Sequence, residues 1–128
     1  MGVDPKIIED TNATISVKQY SIFFRILFNS SFLSRTNSEY ALSLLSKTEF
    51  GAGLRSGVPE NILIAHKFGE RTTQDGLNQL HDCGIVYYPD HPYLLCVMSR
   101  GENLHNLIDS IKKTSEFVYK TIQEQYKD

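Results

Sequence analysis

One apolar run decides how this chain folds: Asn61-Ile62-Leu63-Ile64-Ala65-His66-Lys67-Phe68-Gly69. Its aliphatic and β-branched residues predict a strand from Ile62 to Lys67, which ends on a cation just before Gly69. A polar stretch from Glu70 to Gly76 predicts a loop, and two apolar runs follow it, from Asp82 to Tyr88 and from Tyr93 to Met98. The sequence therefore predicts an antiparallel sheet of three strands that begins with this run.

The turn between the last two strands sets which of their residues are paired. A turn centred on Asp90-His91 pairs Ile85 with Cys96 and Cys83 with Met98. The two cysteines then share one face of the sheet but lie diagonally, which is too far apart for a standard disulfide. We therefore expect two small, buried, apolar thiols, although a one-residue bulge would change the pairing.

Two amphipathic helices precede the sheet. Ser16-Val17-Lys18-Gln19 is a capping box that opens the first helix, which ends near Asn29-Ser30-Ser31. Thr36-Asn37-Ser38-Glu39 is a second capping box, and it opens a shorter helix. The apolar residues predicted to face inward are Tyr20, Phe23, Phe24 and Leu27 in the first helix, and Tyr40, Ala41, Leu44 and Leu45 in the second.

A long helix is predicted from Asn103 to Tyr126, after the sheet. Its apolar stripe consists of Leu104, Leu107, Ile108, Ile111, Val118 and Ile122. Both faces of the predicted hairpin are apolar, so the sheet has to be covered on both sides. The fold class is therefore α/β of the α+β kind: a three-layer α/β/α arrangement with an antiparallel sheet between helices.

Size and composition set further bounds. A chain of 128 residues fits a single domain, and we predict that residues 1–14 form a flexible polar arm. The net charge of −2 argues against a nucleic-acid partner, and no apolar run approaches the length of a membrane span. His81 and Cys83 could converge on one sheet face, but a zinc site needs three or four ligands, so no metal site and no cofactor are expected. His66 points away from Lys67, so we expect it to pack or hydrogen-bond beneath a helix.

The order of these elements resembles the C-terminal segment of class A β-lactamases and penicillin-binding proteins. Lys67-Phe68-Gly69 is similar to the Lys-Thr-Gly element of that serine-hydrolase family, which lies at the end of a strand. Leu54-Arg55-Ser56-Gly57-Val58-Pro59 resembles the family's approach to that strand, and Asp82 to Pro89 resembles the next strand and its turn. The resemblance spans residues 15–126 and implies a partial β-lactamase-like fold.

The resemblance also implies roles for the residues around this element. Lys67 would be the catalytic cation that lines the cleft, while Gly69 would let substrate approach the backbone closely. The amide of Glu70 would be an oxyanion donor, and Phe68 would contact substrate. Phe68 replaces the family's Thr or Ser, and a phenyl ring cannot donate a hydrogen bond to a substrate carboxylate.

The family's nucleophile is absent from the expected place. No Ser-x-x-Lys precedes Lys67, and the one match, Ser110-Ile111-Lys112-Lys113, lies in the last helix, which is the wrong order for the family. The chain is therefore interpreted either as a single domain or as the C-terminal part of a larger hydrolase domain. In the second case the missing N-terminal part would supply the nucleophile.

Two functions remain open. The first is part of a β-lactamase-like or D-alanyl-peptidase-like hydrolase that acts on β-lactam or peptidoglycan-type amides. The resemblance implies that this hydrolase is extracytoplasmic. The second is a non-catalytic binding or assembly module, such as a homo-oligomer, that kept the sheet and lost the chemistry. Phe68 favours the second, and the retained Lys67 and Gly69 favour the first.

Overall fold

The computed structural model describes residues 14–127, so the predicted arm lies outside the described residues except for Thr14. Within these residues there are three α-helices, a short 3-10 turn and three strands. In chain order they are α1 (Val17–Asn29), α2 (Arg35–Leu45), the 3-10 turn (Leu54–Gly57), β1 (Ile64–Thr72), β2 (Asn78–Val86), β3 (Tyr93–Gly101) and α3 (Leu104–Gln125).

The strands form one antiparallel sheet in the order β1-β2-β3, as expected. However, the prediction of a loop beginning at Glu70 is wrong, since β1 continues to Thr72 and pairs with β2 along its whole length. The chain reverses over Thr73 to Leu77, where the Thr73 amide donates to the Leu77 carbonyl at 2.8 Å. Gly76 has a φ of 79°, which glycine adopts without strain. Backbone pairing therefore extends the polar strands beyond the apolar run.

The predicted pairing of β2 with β3 is displaced by two residues. The strands stop at Val86 and resume at Tyr93, so six residues connect them instead of the predicted four, Pro89 to Pro92. Pro89 and Pro92 lie in this connection and have no amide hydrogen to donate to a ladder. A shift of two residues leaves every side chain on its expected face but changes its partner across the strands.

This shift corrects the prediction for the cysteines. Cys83 and Cys96 are direct cross-strand partners, with Cα atoms 4.0 Å apart, and they form a disulfide. The sequence interpretation of two unpaired thiols is therefore wrong, because it rested on a turn that was too short.

Helices α1 and α2 cover the face of the sheet that carries the disulfide. Phe24 and Leu42 are buried there against Ala65, Cys83 and Ile85. The predicted capping box at Ser16 is confirmed, since its hydroxyl accepts from the Gln19 amide and the Gln19 side chain accepts from the Ser16 amide.

Several predicted inward positions on these helices face outward. Phe23 is 58% exposed, Tyr40 is 65% exposed and Leu44 is 50% exposed. The second helix begins earlier than predicted, with Ser34 as its N-cap, and its buried residues are Ser38 and Leu42. Periodicity alone could not tell which of two apolar flanks the sheet would cover.

Helix α3 covers the other face, as its apolar stripe predicted. Leu107 and Ile111 are buried with Leu80, and Leu95 and Val97 pack against them. The 3-10 turn lies between this helix and the sheet, where the Ser115 hydroxyl donates to the Leu54 carbonyl at 2.8 Å. The predicted three-layer α+β arrangement is confirmed. Within residues 14–127, no helix combines the length and apolar character that a bilayer span requires.

A buried carboxylate joins the sheet to the 3-10 turn. Asp82 has 0% exposure, and its Oδ1 lies 2.8 Å from Nδ1 of His66, which is 2% exposed. Its Oδ2 accepts the Leu54 amide hydrogen at 2.9 Å. The expected hydrogen bond of His66 is confirmed, and its partner Asp82 also binds the 3-10 turn. Gly53 has to be a glycine here, because a Cβ would collide with the Asp82 carboxylate.

We expect Asp82→Ala to destabilise the fold strongly. The change leaves the Leu54 amide and the His66 ring nitrogen buried without an acceptor, and each unsatisfied group costs about 1–3 kcal/mol. Urea unfolding measures the loss. Asp109→Ala is the matched control, because it removes a carboxylate from the exposed ion pair with Lys113 and should leave the midpoint nearly unchanged. Equal midpoints for the two variants would show that Asp82 does not join the layers.

Candidate functional site

Lys67 lies near the middle of β1 and its side chain is exposed. β1 is an edge strand within the described sheet, so this side chain can bend over the edge. Its ammonium donates to the Phe68 carbonyl and lies 4.9 Å from the centre of the Phe68 ring. The sequence placed Lys67 at the end of a strand, whereas the strand runs five residues further.

The Phe68 side chain is half-buried on the opposite face of the sheet. Its ring stacks on the Phe50 ring, with centroids 4.2 Å apart and an angle of 20° between the planes. Lys67 therefore reaches across the edge towards an aromatic pair. A cation over an aromatic face is attracted by the ring quadrupole, so Phe68 helps to hold the ammonium at the sheet edge.

Gly69 lies directly opposite His81 in the ladder. A Cβ at this position would overlap the His81 imidazole, so the absence of a side chain makes room for the imidazole next to the backbone. Gly69 and Glu70 also line an open cleft of about 510 Å³ together with His81. Thus three of the four residues singled out in the sequence, Lys67, Gly69 and Glu70, lie along one exposed edge.

His81 and Tyr20 also belong to this site, although neither was expected there from the sequence. The Tyr20 ring meets the His81 ring edge-on at 5.3 Å, and its hydroxyl lies 3.4 Å from the Lys67 carbonyl. A usable signal was present, because Asp75-Gly76 is a common hairpin turn. A three-residue loop of Gln74, Asp75 and Gly76 pairs Thr73 with Leu77 and Gly69 with His81, whereas a longer polar loop from Glu70 to Gly76 leaves this pairing undefined.

The surroundings of His81 favour its neutral form. Burial lowers the pKa of the His81 imidazole, and the nearby Lys67 ammonium lowers it further, while the Asp82 carboxylate opposes both effects. Burial raises the pKa of the Tyr20 hydroxyl, and the Asp82 carboxylate adds to this increase. At neutral pH Lys67 therefore lies near an uncharged imidazole and an uncharged phenol.

Other candidate chemistry lies elsewhere or does not form. Ser110 is on the exposed side of α3, where its hydroxyl donates to the Asn106 carbonyl at 2.7 Å. This helix covers the sheet face opposite α1, so Ser110 is not near Lys67. Among residues 14–127 no three histidine, cysteine or acidic side chains lie close enough to hold a metal ion.

Comparisons with known proteins agree with this architecture. The family model for the beta-lactamase enzyme family, Beta-lactamase2, matches residues 3–122. A search of curated proteins found no match.

Several solved structures share the fold. PBP-A superposes with a TM-score of 0.70 at 17% identity, over 93% of this chain and 49% of that one. A PBP-A variant solved as an acyl-enzyme complex with penicillin G gives a TM-score of 0.74 at 19% identity, over 95% of this chain and 45% of that one. The class A beta-lactamase from Mycobacterium abscessus gives a TM-score of 0.70 at 17% identity, over 82% of this chain and 40% of that one. This chain thus spans less than half the length of each of these structures.

We expect His81 to titrate below the range of an ordinary histidine, and Lys67→Met to raise its pKa by removing a nearby positive charge. Because folding lowers this pKa, the unfolded chain binds the proton more readily, so His81 favours the folded state at neutral pH. That contribution falls as the pH drops below about 6.5, the pKa of an unperturbed histidine.

Proton NMR titration of the imidazole measures both effects. Lys120→Met on α3 is the control for loss of a lysine far from the site, and it should leave the His81 titration unchanged. A Lys67→Met curve that overlays that of the parent would show that the ammonium does not lie near His81.

Proposed function

The chain belongs to the beta-lactamase enzyme family, and on that premise we propose that it forms part of a serine hydrolase. The proposed reaction transfers an acyl group from a β-lactam or a peptidoglycan-type amide to a serine. One observation carries this proposal: Lys67 presents its ammonium at the exposed edge of β1, two residues before Gly69, which itself lines an open cleft.

We assign the roles along this edge as follows. Lys67 is the cation that stabilises developing negative charge and assists proton transfer to and from the serine. Gly69 lines the cleft and leaves its side-chain space to the His81 imidazole, so an extended substrate in the cleft would lie beside that imidazole. The Glu70 amide is the proposed oxyanion donor, because an edge strand leaves alternate amide hydrogens without a strand partner.

The serine nucleophile comes, in this proposal, from a part of the fold outside this chain. The structures that share its fold are more than twice as long as the aligned part. Helices α1 and α2 and the segment between them also present six large apolar side chains outward, and exposed apolar side chains in this number indicate a contact surface. These exposed side chains are Ile22, Phe23, Phe28, Phe32, Tyr40 and Leu44.

Phe68 changes how substrate would be recognised. A threonine at this position could donate a hydrogen bond to a substrate carboxylate, whereas the phenyl ring stacks on Phe50 and attracts Lys67 instead. We therefore propose that Phe68 shifts recognition away from the carboxylate beside the reacting carbonyl.

The disulfide supports an extracytoplasmic location. Cys83 and Cys96 are bonded across the ladder between β2 and β3. Such bonds form and persist mainly in oxidising compartments, such as the periplasm and the extracellular space. We propose that the protein acts there, where peptidoglycan-type substrates are found.

A second function rests on a separate observation. The exposed apolar face of α1 and α2 could bind another copy of the chain rather than a nucleophile-bearing part of its own fold. In that case the chain is a non-catalytic assembly module, and Lys67 is an ordinary exposed lysine. The experiments below separate the two functions.

In the full-length protein, Lys67→Ala should slow acylation by a β-lactam about 10²–10³-fold, the effect expected when one stabilising group is removed from a developing anion. The folded state should survive, because the side chain is exposed. Stopped-flow or intact-mass kinetics of the acyl-enzyme measure the rate, and thermal unfolding checks the fold.

Lys113→Ala is the matched control, since it removes the lysine of the only Ser-x-x-Lys in this sequence. Acylation should be unaffected by this change. If Lys113→Ala greatly slowed acylation and Lys67→Ala did not, Ser110 would be the nucleophile and the role proposed for Lys67 would be wrong. No acylation of the full-length protein at all would favour the assembly module.

Phe68→Thr should speed acylation by substrates that bear a carboxylate beside the reacting amide. A hydrogen bond to a charged group is worth about 1.5–3 kcal/mol, so the gain should be roughly tenfold or more. Phe68→Val is the control, because valine has the shape of threonine without its hydroxyl. Equal rates for the two variants would mean that the gain comes from removing the ring and not from a new donor.

A further inference from the structure

Two arginines extend the candidate site along the sheet. Arg71, Gln79 and Arg100 are direct partners across the three strands, so they form one row of side chains. The neighbouring row on the same face contains Gly69 and His81. Because side chains alternate along a strand, both rows lie on the face that Lys67 occupies. The family comparison assigns no role to the arginine row.

The space beside this row is concave. A cleft of about 510 Å³ lies along the end of the sheet, between the arginine row and the residues that lead into α1. Its lining residues include Ile15, Gly69, His81, Met98 and both arginines. A ligand segment could therefore lie along the strands, with the arginines at its far end.

The cations in this cleft are available to a ligand. Arg71 is exposed and makes no ion pair with the residues that the structure describes. Arg100 pairs with Asp75 at 2.6 Å, but the two side chains are 52% and 54% exposed. An ion pair this exposed contributes little, so a ligand carboxylate can replace Asp75 at small cost. Glu70 also lines the cleft, although its side chain belongs to the opposite face by alternation.

We propose that Arg71 and Arg100 form an anion subsite for a distal carboxylate on an extended peptide substrate. Guanidinium groups suit this ligand because they bind a carboxylate through two parallel hydrogen bonds. Arg71 lies four residues beyond Lys67, which is about 13 Å along a strand. The subsite therefore selects peptides whose second anionic group lies roughly that far from the reacting amide.

This subsite deepens the proposed function and rests on it for the identity of the substrate. It also complements Phe68, which removes a donor next to the reacting amide. Recognition of negative charge moves from the reacting end of the substrate to its far end. A compact β-lactam cannot span this distance, so the subsite favours peptide amides over β-lactams.

The test is direct binding, which does not require the nucleophile. Two peptides ending in D-alanyl-D-alanine differ only in a glutamate or a glutamine three residues before that pair. Amide-resolved NMR titration of the isotopically labelled chain gives a dissociation constant for each peptide. We expect the glutamate peptide to bind about five to ten times more tightly, with shifts at Arg71 and Gln79, and we expect added salt to reduce the difference.

The variant Arg71→Gln with Arg100→Gln should bind the two peptides equally. Arg35→Gln is the control, because it removes an exposed arginine from α2, which contributes nothing to the cleft. Equal binding of both peptides by the parent chain, no detectable binding at millimolar concentration, or a preference that survives in the double variant would each overturn the subsite.

This outcome is independent of acylation. If the charge preference depended on the arginines but the full-length protein formed no acyl-enzyme, the subsite would be supported and only the proposed hydrolase would be wrong. Acylation through Lys67 without any charge preference would leave the hydrolase in place and remove the subsite.

Discussion

The buried Asp82 carboxylate is the interaction on which the arrangement of layers depends. It accepts hydrogen bonds from the Leu54 amide and the His66 ring, so one side chain links β2, β1 and the 3-10 turn. A buried carboxylate without these partners would be very unfavourable, so Asp82 favours the arrangement in which the three elements meet around it. The turn is also tied to α3 through Ser115, which extends the same network to the outer layer.

The candidate site uses the other face of the strand that this network fixes. His66 points into the network, so its neighbour Lys67 has to point outward, towards the open edge. Two glycines make these placements possible. Gly84 leaves room for His66, since a Cβ there would lie 2.5 Å from the His66 Cβ, and Gly69 leaves room for His81. The alternation of side chains along β1 therefore places the packed His66 on one face and the exposed Lys67 on the other.

The proposed hydrolase and the apolar surface of α1 and α2 fit one physical picture. The sheet and α3 bury their apolar side chains against each other within this chain, whereas Phe23 and Phe32 face outward. A fold completed on that side would cover these rings and bring a nucleophile towards Lys67. In the proposed complex, Lys67 lies at one end of a substrate that runs along β1, and Arg71 and Arg100 lie at the other end.

The sequence by itself determined the order of elements, the three-layer class, the first capping box and the Lys-x-Gly element, because each depends on local spacing or composition. It did not determine strand pairing, since Pro89 and Pro92 lengthened one connection and the Asp75-Gly76 turn lengthened two polar strands. The disulfide, the contact of His81 with Gly69, and the arginine row all follow from pairing. Only the tertiary structure decided them, because partners across strands are set by the backbone ladder and not by the residues' own preferences.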